Sequence, residues 1–207
     1  MNILQILGAA PVMPVLTIED ARKAVPAARA LAAGGLFALE ITLRTPAALD
    51  AVARIAAEVP EAIPGVGTVL KAADFEAAAK AGARFAVSPG ATPALLAASR
   101  DQPLPYLPAV ATASEAMAAA EQGFTVLKFF PAAQAGGPAA LKSLAGPLPH
   151  IRFNPNGGIN AASAPSYLAL TNVLSVGGSW VAPMDAIADG DVARIERLAR
   201  EARAMRG

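Results

Sequence analysis

Short apolar runs alternate along this chain with longer mixed runs, and the two have different periods. Eight short runs read as β-strands: Val12–Leu16, Ala38–Thr42, Ile63–Val69, Phe85–Ser88, Tyr106–Ala111, Val126–Phe130, Ile151–Asn154 and Leu174–Val176. The Ala-rich runs near 19–33, 46–58, 71–81, 92–99, 113–121, 137–145, 161–170 and 191–205 read as helices. In the last of them Val192, Ile195, Leu198 and Ala199 share one helical face. Strict alternation favours a parallel sheet with helical crossovers. Eight units predict an α/β fold, a single small (β/α)8 TIM barrel spanning residues 1–207, with Met1–Ala9 as an extra helix closing the bottom. An open doubly wound sheet is the main rival, but no G-x-G-x-x-G turn follows the first strand.

Strands of a parallel sheet are usually apolar throughout, so their polar residues are informative. In Ala38-Leu39-Glu40-Ile41-Thr42-Leu43-Arg44, alternation puts Leu39, Ile41 and Leu43 on the helix side and Glu40, Thr42 and Arg44 inside. Lys128 stands alone in Val126-Leu127-Lys128-Phe129-Phe130. A lysine is almost never buried without a partner. A neutral amine held there can attack a carbonyl and form a Schiff base; the structural alternative is a lysine that reaches the rim or merely pairs with Glu40. Gly65-Val66-Gly67-Thr68 ends the third strand. Thr68 offers a hydroxyl at the rim, and Val66 is expected to face inward and narrow the pocket. Turns follow the fourth, seventh and eighth strands at Ser88-Pro89-Gly90, Asn156-Gly157-Gly158 and Gly177-Gly178-Ser179. Barrels bind phosphate on such final loops through backbone N–H groups, which makes Gly157, Gly158, Gly178 and Ser179 candidates.

Composition narrows the chemistry. The 207 residues include no cysteine and one histidine, His150, which excludes disulfides, thiolate nucleophiles and multi-histidine metal sites. His150 is expected at the bottom, away from the site. The formal net charge of +1 gives no basic field for nucleic acid and no polybasic membrane patch. Although 55% of residues are hydrophobic, roughly a quarter of the chain is Ala, and Gly, Pro or charge breaks each apolar stretch well short of a span. The start lacks the basic region of a signal peptide, so a cytoplasmic protein is expected.

The motifs Leu39-Glu40-Ile41-Thr42-Leu43-Arg44-Thr45, Gly67-Thr68-Val69-Leu70, Val87-Ser88-Pro89-Gly90, Leu127-Lys128-Phe129-Phe130-Pro131-Ala132, Asn156-Gly157-Gly158-Ile159 and Val176-Gly177-Gly178-Ser179-Trp180 occur in that order. Together they resemble the 2-keto-3-deoxy-6-phosphogluconate (KDPG) aldolases, also called 4-hydroxy-2-oxoglutarate (KHG) aldolases, from about Pro11 to the C-terminal helix. The resemblance implies a homotrimer of barrels and a class I aldolase of the Entner–Doudoroff pathway without metal or other cofactor. It implies Lys128 as the Schiff-base lysine and Glu40 as the general acid/base. Arg44 and Thr68 would hold the keto-acid carboxylate, and Pro89 would shape the pocket wall. Gly157, Gly158 and Ser179 would bind phosphate, with Gly178 beside them. The chain departs from the family pattern at Pro64, Val66, Ala109, Ala133 and Asn156. Asn156, where Thr is usual, is expected to contact the distal half of the substrate and to influence which C4 epimer is preferred. The implied reaction cleaves the phosphorylated keto-deoxy acid to pyruvate and glyceraldehyde 3-phosphate, with KHG cleavage to pyruvate and glyoxylate beside it. The alternatives are an aldolase for the galactonate epimer and a phosphate-binding barrel enzyme whose chemistry is non-covalent; a trimeric scaffold with no activity is a third reading.

Overall fold

Period-two runs become strands, and every strand pair is parallel. The computed structural model describes residues 1–205. Its strands are β1 (Val12–Leu16), β2 (Ala38–Thr42), β3 (Ile63–Gly67), β4 (Ala86–Val87), β5 (Tyr106–Leu107), β6 (Ala109–Val110), β7 (Val126–Phe129), β8 (Arg152–Pro155) and β9 (Val176–Gly178). Helix α1 (Ile3–Gly8) precedes β1. The others are α2 (Ala24–Ala33), α3 (Ala48–Glu58), α4 (Ala72–Lys80), α5 (Pro93–Arg100), α6 (Ala113–Glu121), α7 (Gly137–Ala145), α8 (Ala164–Leu168), α9 (Met184–Asp189) and α10 (Val192–Arg203). Local chemistry starts several of them. Thr92 caps α5 with Pro93 at its first position, and Thr112 and Glu115 form a reciprocal capping box on α6.

The expected closed (β/α)8 TIM barrel does not form. The strands make a six-stranded sheet, β5-β4-β3-β2-β1-β9, and a separate three-stranded sheet, β6-β7-β8. One break falls inside the run predicted as a single strand, Tyr106–Ala111. Pro108 has no N–H to give to a ladder, so β5 pairs with β4 while β6 pairs with β7. On the other side β8 shares no ladder with β9, and an isolated bridge, Phe153 to Val173, stands in its place. The molecule is a curled parallel half-barrel facing a small second sheet. The last strand also begins later than expected, so Gly177 and Gly178 lie within β9 rather than in a turn after it. The run at 161–170 yields only α8, and the short helix α9 precedes α10.

Alternation sorts side chains between two apolar clusters. Leu16, Leu39, Ile41, Leu127, Phe129 and Phe153 pack outward under the helices with Leu31, Val52, Phe75 and Leu141. Val66 belongs to this outer cluster, which corrects the expectation that it narrows the pocket; Gly65 and Gly67 take the inward positions of β3. The second cluster joins Ile6 and Leu7 of α1 to Met13, Ala38, Phe85, Val87, Leu107 and Val126. Helix α1 thus plugs the end where the strands begin, as expected. Each Ile or Leu so buried contributes about 1.5–3 kcal/mol.

Candidate active site

A buried pair of ionisable side chains comes from the inward positions of β2 and β7. Leu39 and Ile41 are outward, so Glu40 points in; Leu127 and Phe129 are outward, so Lys128 points in. The two residues lie in different sheets, and the curl between the sheets brings them together. Lys128 Nζ donates to Glu40 Oε1 at 3.1 Å, with both side chains buried. The Lys128 ammonium also lies 5.5 Å from the centre of the Phe130 ring. Glu40 Oε2 is buried with no partner. Desolvating such a pair costs several kcal/mol per ion, and an unpaired oxygen leaves part of that cost standing. Gly67 makes the arrangement possible, because a Cβ at that position would overlap the Glu40 carboxylate.

Above the pair opens a cavity of about 460 Å³. Of the sequence-predicted residues, Arg44, Lys128, Asn156, Gly157, Gly158 and Ser179 line it. Glu40 reaches it through Lys128. Thr68 is one step removed, accepting from Arg44 Nε at 3.1 Å. Its φ of 63° is a strained value for a β-branched residue, and it holds the hydroxyl in position beside the guanidinium. Pro89 and Gly178 are not in the lining. Pro89 belongs to a turn in which Ser88 Oγ donates to the Gly90 carbonyl at 2.6 Å and lies 2.6 Å from the buried Tyr106 hydroxyl. Burial pushes the Tyr106 phenol up to about 12, a shift that the Ser88 hydroxyl only partly offsets. The absent side chain of Gly178 leaves room for the Trp180 ring, which does line the cavity. His150 is exposed, away from the lining.

Sequence reasoning missed Val15, Thr17, Phe130, Ile159 and Met184, all in the lining. Thr17 was legible from strand alternation through Met13 and Val15; its hydroxyl lies 3.1 Å from that of Thr42, which donates to the Leu16 carbonyl. Met184 carried no such signal. Among the described residues, no group of three or more His, Cys, Asp or Glu is placed to hold a metal ion, and no helix is long and apolar enough to cross a membrane.

The family model for KDPG and KHG aldolase matches residues 3–198. This chain belongs to the KDPG and KHG aldolase family. It is 49% identical over 197 residues to the KHG/KDPG aldolase of Escherichia coli, covering 95% of this chain and 92% of that protein. It is 50% identical over 198 residues to the 2-dehydro-3-deoxy-phosphogluconate aldolase of Dickeya dadantii, covering 96% and 93%. Among solved structures, the KDPG aldolase of Legionella pneumophila superposes with a TM-score of 0.96 at 41% identity over 98% of both chains. That aldolase was captured with pyruvate as a covalent carbinolamine intermediate, the adduct that precedes a Schiff base. As a KDPG and KHG aldolase family member the chain is a lyase.

Proposed function

We propose that this protein is a class I aldolase that cleaves KDPG to pyruvate and glyceraldehyde 3-phosphate, with KHG cleavage to pyruvate and glyoxylate as a second activity. One observation carries the residue assignment: a buried lysine and carboxylate meet at the floor of a cavity with one carboxylate oxygen left free. Lys128 Nζ adds to the C2 keto carbon, and the carbinolamine loses water to give an iminium ion. Glu40, or a water it orients, takes the C4 hydroxyl proton. The C3–C4 electron pair flows into the iminium, the aldehyde leaves, and an enamine remains. Glu40 returns a proton to C3, and water releases pyruvate and the free amine. Oε2 is the atom suited to these transfers, since Oε1 already accepts from Lys128. The lysine supplies the electron sink, so the scheme calls on no metal or other cofactor.

Arg44, with Thr68 behind it, binds the keto-acid carboxylate. Gly157, Gly158 and Ser179 receive the phosphate, while Gly178 gives Trp180 its place. Asn156 faces the carbon chain between the two ends. The chain works as one domain, and the resemblance supports a cytoplasmic homotrimer. Light scattering at micromolar concentration should give three times the chain mass; a monomer would refute the trimer.

The test of the reaction is incubation with pyruvate and borohydride, followed by peptide mass spectrometry. A reduced pyruvate adduct on Lys128 is expected. Intact protein without an adduct would overturn the covalent reading in favour of non-covalent phosphate chemistry. Cleavage assays on KDPG and its galactonate epimer then separate the two substrates; faster turnover of the epimer would overturn the assignment to KDPG.

A further inference from the structure

The inward side of β8 and the approach to β9 hold a polar chain of which the proposed scheme uses only Asn156. Asn154, Asn156 and Ser175 are all buried. Asn156 Nδ2 donates to the main-chain oxygen of Asn154 at 3.1 Å and to Asn154 Oδ1 at 2.6 Å. Asn154 Nδ2 donates in turn to the main-chain oxygen of Ser175 at 3.0 Å and to Ser175 Oγ at 2.9 Å. A main-chain carbonyl can only accept, so each amide has one orientation, with its nitrogen toward that carbonyl. Asn156 is therefore left with Oδ1 free, beside the backbone of Gly177 on the cavity wall, where any Cβ would overlap it. The wall carries a fixed acceptor there and not a donor.

The strand register places this acceptor along the substrate. Asn154 lies opposite Lys128 in the β7–β8 ladder. Asn156 is two residues further toward Gly157 and Gly158, between the iminium carbon and the phosphate end. Two hydroxyls of the substrate fall in that interval. The one on C4 gives up its proton during cleavage, so its oxygen gains negative charge, which a fixed acceptor opposes. The one on C5 keeps its proton throughout.

We infer that Asn154 is a positioning residue, holding Asn156 Oδ1 as the acceptor for the hydroxyl next to the aldehyde carbon. The inference rests on the aldolase reading and adds a specificity to it: the site selects phosphorylated 2-hydroxyaldehydes over aldehydes without that hydroxyl. A single neutral hydrogen bond predicts a preference of about tenfold.

The experiment runs the reaction in the aldol direction with pyruvate, comparing kcat/KM for glyceraldehyde 3-phosphate and for 3-phosphopropanal, which lacks the hydroxyl. The unaltered protein should prefer the hydroxylated aldehyde about tenfold. Asn154→Leu and Asn156→Leu should each remove most of that preference, and the double variant should remove no more, because the first acts through the second. Should Asn154→Leu fail to fold, Ser175→Ala cuts the far end of the chain and should lower the preference about two- to threefold. An unaltered protein without preference would overturn the inference. So would an Asn154→Leu that slows both aldehydes equally, because a purely structural role moves the rates and not their ratio. The borohydride adduct on the unaltered protein tests the aldolase reading separately.

Discussion

A carboxylate buried beside an ammonium regains its lost hydration only when its remaining oxygen also finds a partner. Glu40 Oε2 has none, so the pair is a poor source of stability, which supports the role proposed for it in reaction. Lys128→Ala should abolish cleavage and the pyruvate adduct, and should also destabilise the protein by about 3–5 kcal/mol by leaving Glu40 unpaired. Urea denaturation at neutral pH checks this, and adding Glu40→Gln should restore part of the loss. Glu40→Gln alone should still form the pyruvate imine but slow proton exchange at the pyruvate methyl about 10²–10⁴-fold, as read by deuterium incorporation. Gly67→Ala should push the carboxylate out of register with Lys128, costing about 1–3 kcal/mol of stability and most of the exchange rate. Glu40 and Lys128 were legible in the sequence because each interrupts an apolar strand. Asn154 interrupts its strand too, but its importance lies in which carbonyls its own amide and that of Asn156 face, and no residue pattern encodes that. The side taken by Val66 depended on the phase of β3, which its two glycines left without an apolar marker.

Strands and helices obey a coarser logic. The alternation of strand-like and helical runs was readable along the whole chain, and so was a helix at the start. Sheet closure was not, because it depends on hydrogen-bond donors at strand edges, and hydrophobic pattern says nothing of those. Pro108 sits in an otherwise continuous run and divides it, leaving β5 and β6 in different sheets. At β9, glycines and a serine hid the strand behind the appearance of a turn. Helix α1 contributes Ile6 and Leu7, with Ile3 packed beside them, and Leu7 is almost fully buried in the inner cluster. Leu7→Ala should lower stability by about 2–5 kcal/mol, read as a lower urea midpoint. An unchanged midpoint would mean that the plug adds nothing to the fold.

Across the whole molecule, hydrogen-bonded surface carboxylates and buried phenols tie stability to pH. Hydrogen bonds from Arg22 hold Asp20 down at about 2, and those from Lys80 and Arg194 lower Glu76 and Asp185. A lowered carboxylate stabilises the fold above its unfolded value of about 4, and that contribution is lost as pH falls through the folded value. These groups are on the surface, where solvent screens them, so the acid limb should be shallow. On the alkaline side burial raises the phenols of both Tyr106 and Tyr167. The folded value of about 12 for Tyr106 lies above the ordinary 10, so its neutral phenol is favoured in the folded state. That contribution is therefore full below pH 10 and is lost between about 10 and 12, by on the order of a few kcal/mol. Tyr106→Phe should flatten that fall in a series of urea titrations. The plug of α1 also bears on how the molecule is made. Ile6 and Leu7 leave the ribosome before every strand that shelters them, because the surface that buries them is assembled from β1 through β7, with Leu174 packed at its edge. Helix α1 must therefore wait, unsheltered, until most of the strands that follow it have been synthesised. A segment made before all of its partners is among the last to find its place.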